Sequence, residues 1–331
     1  MIYYNWYIII KIEVTIFMAN KIFKNLDEQV EILRNKGLVI KDDNYTKEVL
    51  LRENYFFVSG YRHFFIDSNN VTNKSKNFLP GTTFDELYGV FNFDRRMRNI
   101  MFKNILIIEN NIKSIISYQL SKKYGFKEKD YLNPKNFTTD PMKSRQVNDV
   151  LDKMKRQIRV NGRKHSATLH YMSNYGYIPM WILVKVLSFG MISELFAILK
   201  GEDKKAIANF YDVDSDTLEI YLSLLANFRN LCAHEDVLYD HRTNRVIPNN
   251  KYHYRMDIEK KDNEYIYGKN DLFAIVIIMK IMLTPDEFKL LVDEIDYEIN
   301  ILDAKIDVIP LDSIFNRIGF PSNWREIAYL D

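Results

Sequence analysis

Glycine and proline are unusually scarce in this chain, and their scarcity limits the folds open to it. Glycine accounts for 11 and proline for 8 of the 331 residues, under half the usual share of roughly 12%. Sandwiches, barrels and propellers need a turn about every 8–12 residues. A chain so poor in turn residues favours long helices, and we therefore predict an all-α fold.

The clearest helix signal starts at Thr83, which Glu86 follows in the spacing of a capping box. Apolar residues then recur at helical intervals to about Lys123, and Gly125 ends the run. Further helices are predicted over residues 25–38, 144–160, 180–199, 215–232 and 271–283, with another from Thr284. A polar loop of about thirty residues, 239–270, is long enough to suggest function or mobility.

The first 17 residues are conspicuously apolar but fit neither a signal peptide nor a membrane span. They lack a basic start and a small-residue cleavage site, and Lys11 and Glu13 interrupt the run. We expect this extension not to belong to the native protein, with Met18 as the true start, and we expect no membrane partner. A β-like arm or a membrane-surface anchor, as in a membrane-associated toxin, is the alternative.

Residues 131–141, with two prolines and several Asn and Thr, look like a linker. They predict a boundary between an N-terminal helical region, 18–140, and a second helical domain, 141–331.

The chain lacks the common sequence signatures of cofactor and metal sites. It has no Gly-rich phosphate loop, GxSxG elbow, HExxH or CxxC pair, so we expect no cofactor and no metal. Its single cysteine, Cys232, cannot form an intramolecular disulfide, which favours a reducing, cytoplasmic location. Cys232 falls on the apolar stripe of its helix and is expected in the core.

One stretch carries candidate chemistry, with Arg229 and His234 on a predicted helix that has no breaker between them. Imidazole can act as a general acid or base near neutral pH, and guanidinium grips phosphate bidentately. Together they suffice for metal-free RNA cleavage, in which the ribose 2′-OH attacks its own phosphodiester and the cation stabilises the developing charge. Asn230, four residues before His234, would orient the ring.

The spacing alone is a weak signal. A loose pattern of Arg, four to six residues and then His also fits Arg159 with His165 and Arg163 with His170. Both of those pairs lie at the Asn161-Gly162 break, where a continuous helix is not expected. The alternative interpretation of His234 is a helix-end histidine favoured by the helix dipole.

A helical wheel adds a geometric constraint on the pair. Arg229 falls at the edge of an apolar stripe, about 140° from His234 on an ideal helix. An arginine there is costly unless it meets a carboxylate, a phosphate or a partner subunit. On one straight helix the two side chains cannot both contact the same phosphate. This geometry points to a homodimer in which two such helices meet.

Longer segments carry a family resemblance. They are ENYFFVSGYR (53–62), PGTTFDELYGVFNFDRRMR (80–98), the stretch around Glu109, YGYIPMWILVKVLSFGMISELF (175–196) and GFPSNW (319–324). Over roughly residues 20–330 the chain resembles the Abi-like family of bacterial abortive-infection proteins, of the AbiD/AbiF type. The run from Arg229 to His234 resembles the RNxxAH signature of HEPN-domain ribonucleases. Lys185 stands where an acidic residue is expected, and the acidic EDVLYD (235–240) follows the histidine where a basic residue is common.

The resemblance implies a multi-helix HEPN-like bundle with an additional N-terminal helical region. It also implies a metal-independent endoribonuclease that acts in phage defence, with two motifs meeting across a dimer. Arg229 and His234 then become the catalytic pair and Asn230 a supporting residue. RNA is the implied substrate, and a small noncoding RNA is a further implied partner. The alternative is a non-catalytic RNA-binding component of a defence ribonucleoprotein.

The formal net charge of +2 hides two opposed segments. Residues 143–165 carry a balance of +6, and residues 286–307 carry −6. The candidate RNA contacts in the basic segment are Lys153, Lys155, Arg156, Arg159, Arg163 and Lys164. A solvated helix face is an equally good interpretation of that segment.

Three tyrosines, Tyr171, Tyr175 and Tyr177, follow the basic segment. They could stack on bases. Packing around Pro179 and Trp181 is the more ordinary explanation.

Overall fold

The computed structural model describes residues 22–66 and 77–330. In these residues the protein is all-α apart from one two-stranded hairpin, which confirms the predicted fold class. The apolar extension predicted for residues 1–17 lies outside the described residues. By packing, the chain divides into two compact units, one ending at Tyr88 and one starting at Gly89. The functional boundary after residue 140 does not coincide with this division and stays a prediction.

In its described residues, 22–66 and 77–88, the first unit contains three short helices and the start of a long one. They are α1 (Leu26–Asn35), α2 (Asp43–Glu53), α3 (Tyr55–Gly60), a 3-10 turn (Tyr61–Phe65) and α4 (Phe84–Tyr124). α4 begins with the predicted capping box. The Thr83 N–H donates to the Glu86 carboxylate at 2.8 Å, and the Glu86 N–H donates to Thr83 Oγ1 at 3.2 Å. These bonds satisfy N–H groups that the first helical turn leaves without a partner.

The second unit contains the rest of α4 and eleven further helices within the described residues. They are α5 (Glu128–Tyr131), α6 (Ser144–Asn161), α7 (Ser166–Tyr175), α8 (Met180–Leu183), α9 (Phe189–Ala197), α10 (Gly201–Ala208), α11 (Ser215–Ala233), α12 (Lys251–Arg255), α13 (Leu272–Met282), α14 (Pro285–Asp303) and α15 (Leu311–Ile318). The hairpin pairs β1 (Lys260–Lys261) with β2 (Glu264–Tyr265). Short 3-10 turns cover Pro134–Asn136, Pro141–Lys143, Val184–Val186, Asn209–Tyr211 and Trp324–Tyr329.

The core of the second unit surrounds α13, whose first eight residues, Leu272–Met279, are all buried. A helix that is apolar on all sides belongs in the interior of a protein. α11 packs against α9, α10 and α13, and α14 covers α13 from another side. α11 is therefore a central element of the unit. Cys232 on α11 is buried, as predicted.

Two segments differ from the sequence predictions. The single apolar helix predicted over 180–199 is broken into α8, a 3-10 turn and α9. Ser188 stops it, because its hydroxyl accepts the Met191 N–H at 3.3 Å and caps α9. The predicted linker 131–141 is packed: the Tyr131 hydroxyl donates to the Ile178 carbonyl at 2.7 Å, and Phe137 is buried.

α11 begins at Ser215, as predicted, whereas the polar loop differs from the prediction. Asp214 caps α11 by accepting the Thr217 N–H at 2.8 Å. Glu219 on α11 forms an ion pair with Lys204 at 2.6 Å. The polar loop 239–270 contains α12 and the hairpin. Within the described residues, no helix is both long and apolar enough to cross a membrane.

Asp271 caps the buried helix α13 and is itself buried. Its carboxylate accepts the N–H groups of Ala274 at 2.9 Å and of Gly268 at 3.0 Å. Burial raises the pKa of Asp271 to about 6, since the charged form loses its hydration, although these hydrogen bonds act in the opposite direction. Gly319 closes over it with a φ of 86°, and a Cβ there would lie 2.4 Å from the Asp271 Cγ. The carboxyl group is thus enclosed on all sides.

We predict that Asp271 makes the protein less stable as the pH rises from about 4 to 6. An unfolded Asp ionises near pH 3.9, whereas folded Asp271 holds its proton to about pH 6. The native state therefore binds more protons in this window, and the free energy of unfolding falls. Asp271→Asn is neutral at every pH. Urea unfolding across this range should show the variant gaining about 1–3 kcal/mol on the wild type above pH 6. A difference independent of pH would contradict the prediction.

Candidate active site at the end of α11

The C-terminal end of α11 is closed by a Schellman motif. The helix ends at Ala233, and His234 is its C-cap. Glu235 has a left-handed backbone with a φ of 56°. Its N–H and that of Asp236 donate to carbonyls of the last turn at 3.4 and 3.2 Å. Glycine is the usual residue at this position, and a side chain there costs about 1–2 kcal/mol. Backbone strain is therefore stored directly beside the candidate histidine.

His234 and Asn230 are both exposed on the polar side of α11. The Asn230 carbonyl accepts the backbone N–H of His234 at 3.0 Å. Within the described chain, the Asn230 amide makes no hydrogen bond to the His234 imidazole. No contact in one protomer therefore supports the predicted role of Asn230 in orienting the ring. The imidazole is open to a solute from outside the chain.

Arg229 points to the opposite side, towards α4. Its Nε lies 3.5 Å from Oε2 of Glu109, and its guanidinium carbon lies 5.5 Å from the centre of the Phe102 ring. The side chain is 29% exposed. An arginine at this position needs a carboxylate, a phosphate or a partner subunit to offset its charge. The structure supplies a carboxylate, that of Glu109. The ring and the carboxylate hold the guanidinium from two sides.

Glu109 is shared between two cations. Its Oε1 accepts a hydrogen bond from Lys113 at 2.6 Å, and both of these side chains are buried. With one carboxylate against Lys113 and Arg229, the cluster carries a formal charge of +1. Arg229 Nε and Glu109 Oε2 are buried without a hydrogen-bond partner among the described residues, since their geometry is that of an ion pair only. The two terminal nitrogens of the guanidinium make no hydrogen bond within the described residues, and the side chain is partly exposed, so these nitrogens are the donors left for an anion.

A second carboxylate of α4 holds the segment after His234. Asp94 accepts the N–H groups of Leu238 at 3.2 Å and Tyr239 at 2.8 Å, and it forms an ion pair with Arg98. Arg98 also donates to the Asp236 carbonyl at 3.4 Å. Asp94 and Arg98 are both buried. The position of the chain after His234 thus depends on a buried ion pair.

His241 is a further histidine against α11. Its Nε2 lies 2.6 Å from Oδ1 of Asn227, and its ring meets the Phe228 ring edge-on at 4.9 Å. Burial, aided by Arg242, lowers the pKa of His241. A neutral His241 therefore anchors the polar loop to α11 beside the candidate site.

Sequence reasoning assigned no role to Glu109, Asp94 or His241. Glu109 and Asp94 each have an ion-pair partner four residues on, but their contacts with α11 and the chain after it join residues far apart in the sequence, so no spacing pattern reveals them. Arg229 and His234 share a helix, but in one protomer no hydrogen bond joins their side chains within the described residues. They face different directions, as the helical wheel predicts.

The predicted RNA-contact residues lie on α6 and in the turn after it. Lys153 forms an ion pair with Glu194 at 2.7 Å, and Lys155 forms one with Asp152 at 3.2 Å. The other four, Arg156, Arg159, Arg163 and Lys164, are exposed. They have no carboxylate partner within the described part of the chain. These four are the cations most available to a phosphate.

The fold and the site define an all-α protein with an arginine and a histidine at the end of a central helix. A family model described as Abi-like protein matches residues 48–240, which is more than half of the chain. The chain belongs to the Abi-like protein family. Membership of this family indicates a role in abortive-infection phage defence. No curated protein and no solved structure matches the chain.

We predict that Asp94→Ala costs about 3–5 kcal/mol of stability, because it removes one partner of the buried ion pair with Arg98. It also leaves two backbone N–H groups without their acceptor. Glu194→Ala, which removes the exposed partner of Lys153, is the control and should cost no more than about 1 kcal/mol. Urea unfolding monitored by circular dichroism measures both. Similar small losses in the two variants would show that the Asp94 pair does not hold the loop.

Proposed function

We propose that this protein is a metal-independent endoribonuclease of phage defence, with His234 and Arg229 as its catalytic pair. The observation that carries the proposal is the surplus positive charge at Arg229. A half-buried guanidinium that shares one carboxylate with Lys113 gains a full partner when a phosphate binds it. The HEPN resemblance of the Arg229–His234 run adds support.

Each group has a distinct part in the proposed reaction. His234 takes the proton of the ribose 2′-OH, and the 2′ oxygen attacks the adjacent phosphorus. Arg229 stabilises the charge that develops on the phosphoryl oxygens. The P–O5′ bond breaks, and the departing 5′ oxygen takes up a proton. The products are a 2′,3′-cyclic phosphate and a 5′-hydroxyl.

The two side chains reach one phosphate most simply across a homodimer. They point to different sides of α11 in one protomer, while a two-fold axis brings the same surface of two copies together. In our proposal, Arg229 of one protomer and His234 of its partner complete a site. The geometry of the pair supports this arrangement, which is open to a direct test.

Cleavage should depend on both side chains. We expect His234→Ala and Arg229→Ala each to lower the cleavage rate of total RNA about 10²–10⁴-fold. Arg245→Ala, at another exposed arginine, is the matched control and should cleave like the wild type. The assay contains a chelator, and the product ends are analysed for cyclic phosphate. Equal cleavage by wild type and His234→Ala, or no cleavage by the wild type in chelator, would overturn the proposal.

A non-catalytic RNA-binding component of a ribonucleoprotein is the second candidate. It is favoured by the acidic Glu235 and Asp236 beside His234 and by the exposed cations of α6. In that case His234→Ala keeps both RNA affinity and the cellular effect. Reversing the charges of Lys155 and Arg156 abolishes both. The nuclease proposal expects the cellular effect to be lost in His234→Ala even where RNA affinity is kept.

Mixing two inactive variants tests the shared site. If Arg229 and His234 act across the dimer, half of the dimers formed from Arg229→Ala and His234→Ala protomers contain one intact site. Unfolding and refolding the two variants together should then restore about a quarter of wild-type activity. Each variant refolded alone should stay inactive. A mixture as inactive as the separate variants would place both groups of a site within one protomer.

A further inference from the structure

Six rings form a continuous strip at the surface of the second unit, four of them exposed and two, Tyr171 and Tyr177, partly buried. The rings belong to His170, Tyr171, Tyr175, Tyr177, Phe126 and Trp181. Each ring contacts the next, with centres separated by 5.3–6.4 Å. Tyr175 is 57%, Trp181 42% and Phe126 39% exposed. We call this surface the aromatic strip.

Packing does not account for the aromatic strip. α7, which carries three of its rings, buries one side chain, Thr168, of its ten residues. The helix is held by its hairpin with α6, where the Thr168 hydroxyl donates to the carbonyls of Asn161 and His165. Tyr175 could be replaced by a polar residue without opening the core. Contiguous apolar surface of this kind marks an interaction site.

The sequence around the aromatic strip is rich in cations, and the carboxylate that the structure places beside it, Glu128, accepts the Ile178 N–H at 2.5 Å. From Lys153 to Ser193 the chain has seven Lys and Arg residues and no Asp or Glu. Arg163 and Lys164 lie in the turn that leads into α7 and are exposed. Lys127 lies 5.0 Å from the centre of the Tyr177 ring. The partner of this surface is therefore anionic and also presents flat, apolar faces.

Single-stranded nucleic acid has both properties. Its phosphates attract the cations, and unpaired bases stack on aromatic side chains without regard to sequence. In a duplex the base faces are stacked inside the helix. A duplex would therefore contact this surface only through its phosphates and the cations of the protein. We propose that the aromatic strip binds single-stranded RNA, which extends the proposed function to the class of its substrate and rests on it for the choice of RNA.

The test measures RNA affinity in the absence of cleavage. All proteins carry His234→Ala, and the probe is a fluorescein-labelled oligouridine of about 15 nucleotides, read by fluorescence anisotropy. Tyr175→Ala should weaken binding at least about fivefold, which corresponds to one lost stacking contact. Tyr175→Phe keeps the ring and should bind like the parent. Tyr254→Ala removes an exposed tyrosine outside the aromatic strip and should also leave affinity unchanged.

Two further measurements separate stacking from charge. The same RNA annealed to its complement should bind more weakly than the single strand, and Tyr175→Ala should not change duplex affinity. Oligouridine should also quench tryptophan fluorescence, and Trp181→Phe should remove that quenching. Equal affinity of Tyr175→Ala and its parent for the single strand would overturn the proposal. The aromatic strip would then be a surface for a protein partner.

Failure of this inference is distinguishable from failure of the proposed function. If Tyr175→Ala alone binds and cleaves RNA like the wild type, the aromatic strip is not the binding surface, and the nuclease stands. If Tyr175→Ala loses affinity but the wild type never cleaves, the aromatic strip binds RNA in a protein without nuclease activity.

Discussion

Two buried ion pairs on α4 place the whole candidate site. Asp94 pairs with Arg98, and Glu109 pairs with Lys113, in both cases four residues apart on the same helix. Each carboxylate also reaches α11 or the chain after it: Glu109 contacts Arg229, and Asp94 binds the N–H groups that follow His234. Because Asp94 precedes Glu109 while Arg229 precedes His234, α11 runs antiparallel to α4. The helix α4 thus fixes the chain at both ends of the run from Arg229 to His234.

The two carboxylates differ in how completely each balances the positive charge beside it. Asp94 pairs with Arg98 and accepts two backbone N–H groups, and both side chains are buried. Glu109 faces two cations, and Arg229 remains partly exposed with unused donors. A charge that is neither fully hydrated nor fully paired is costly in a resting protein. Binding of an anion would recover that cost, and for this reason our proposal places the phosphate at Arg229 rather than at Arg98.

Local features of the fold could be predicted from the sequence, and features that depend on distant partners could not. Thr83 with Glu86 marks the start of α4, because a capping box involves residues within one turn. The Arg229–His234 run was identifiable for the same reason. Glu109 was not, because its link to Arg229 spans 120 residues of chain. The break at Ser188 was missed because the apolar periodicity on either side looks continuous, and a single hydroxyl cap outweighs it.

The arrangement of helices connects the candidate catalytic end with the basic surface. α9 packs on α11 and also on α6, where Glu194 forms an ion pair with Lys153. The basic helix is therefore one helix away from the helix that carries Arg229 and His234. The net charge of +2 does not reveal the basic surface, because the acidic residues of α14 offset the cations of α6 in the total. Attraction of a phosphate backbone depends on local charge over about one Debye length, roughly 8–10 Å, so the net charge of the whole chain is no argument against the RNA partner that we propose.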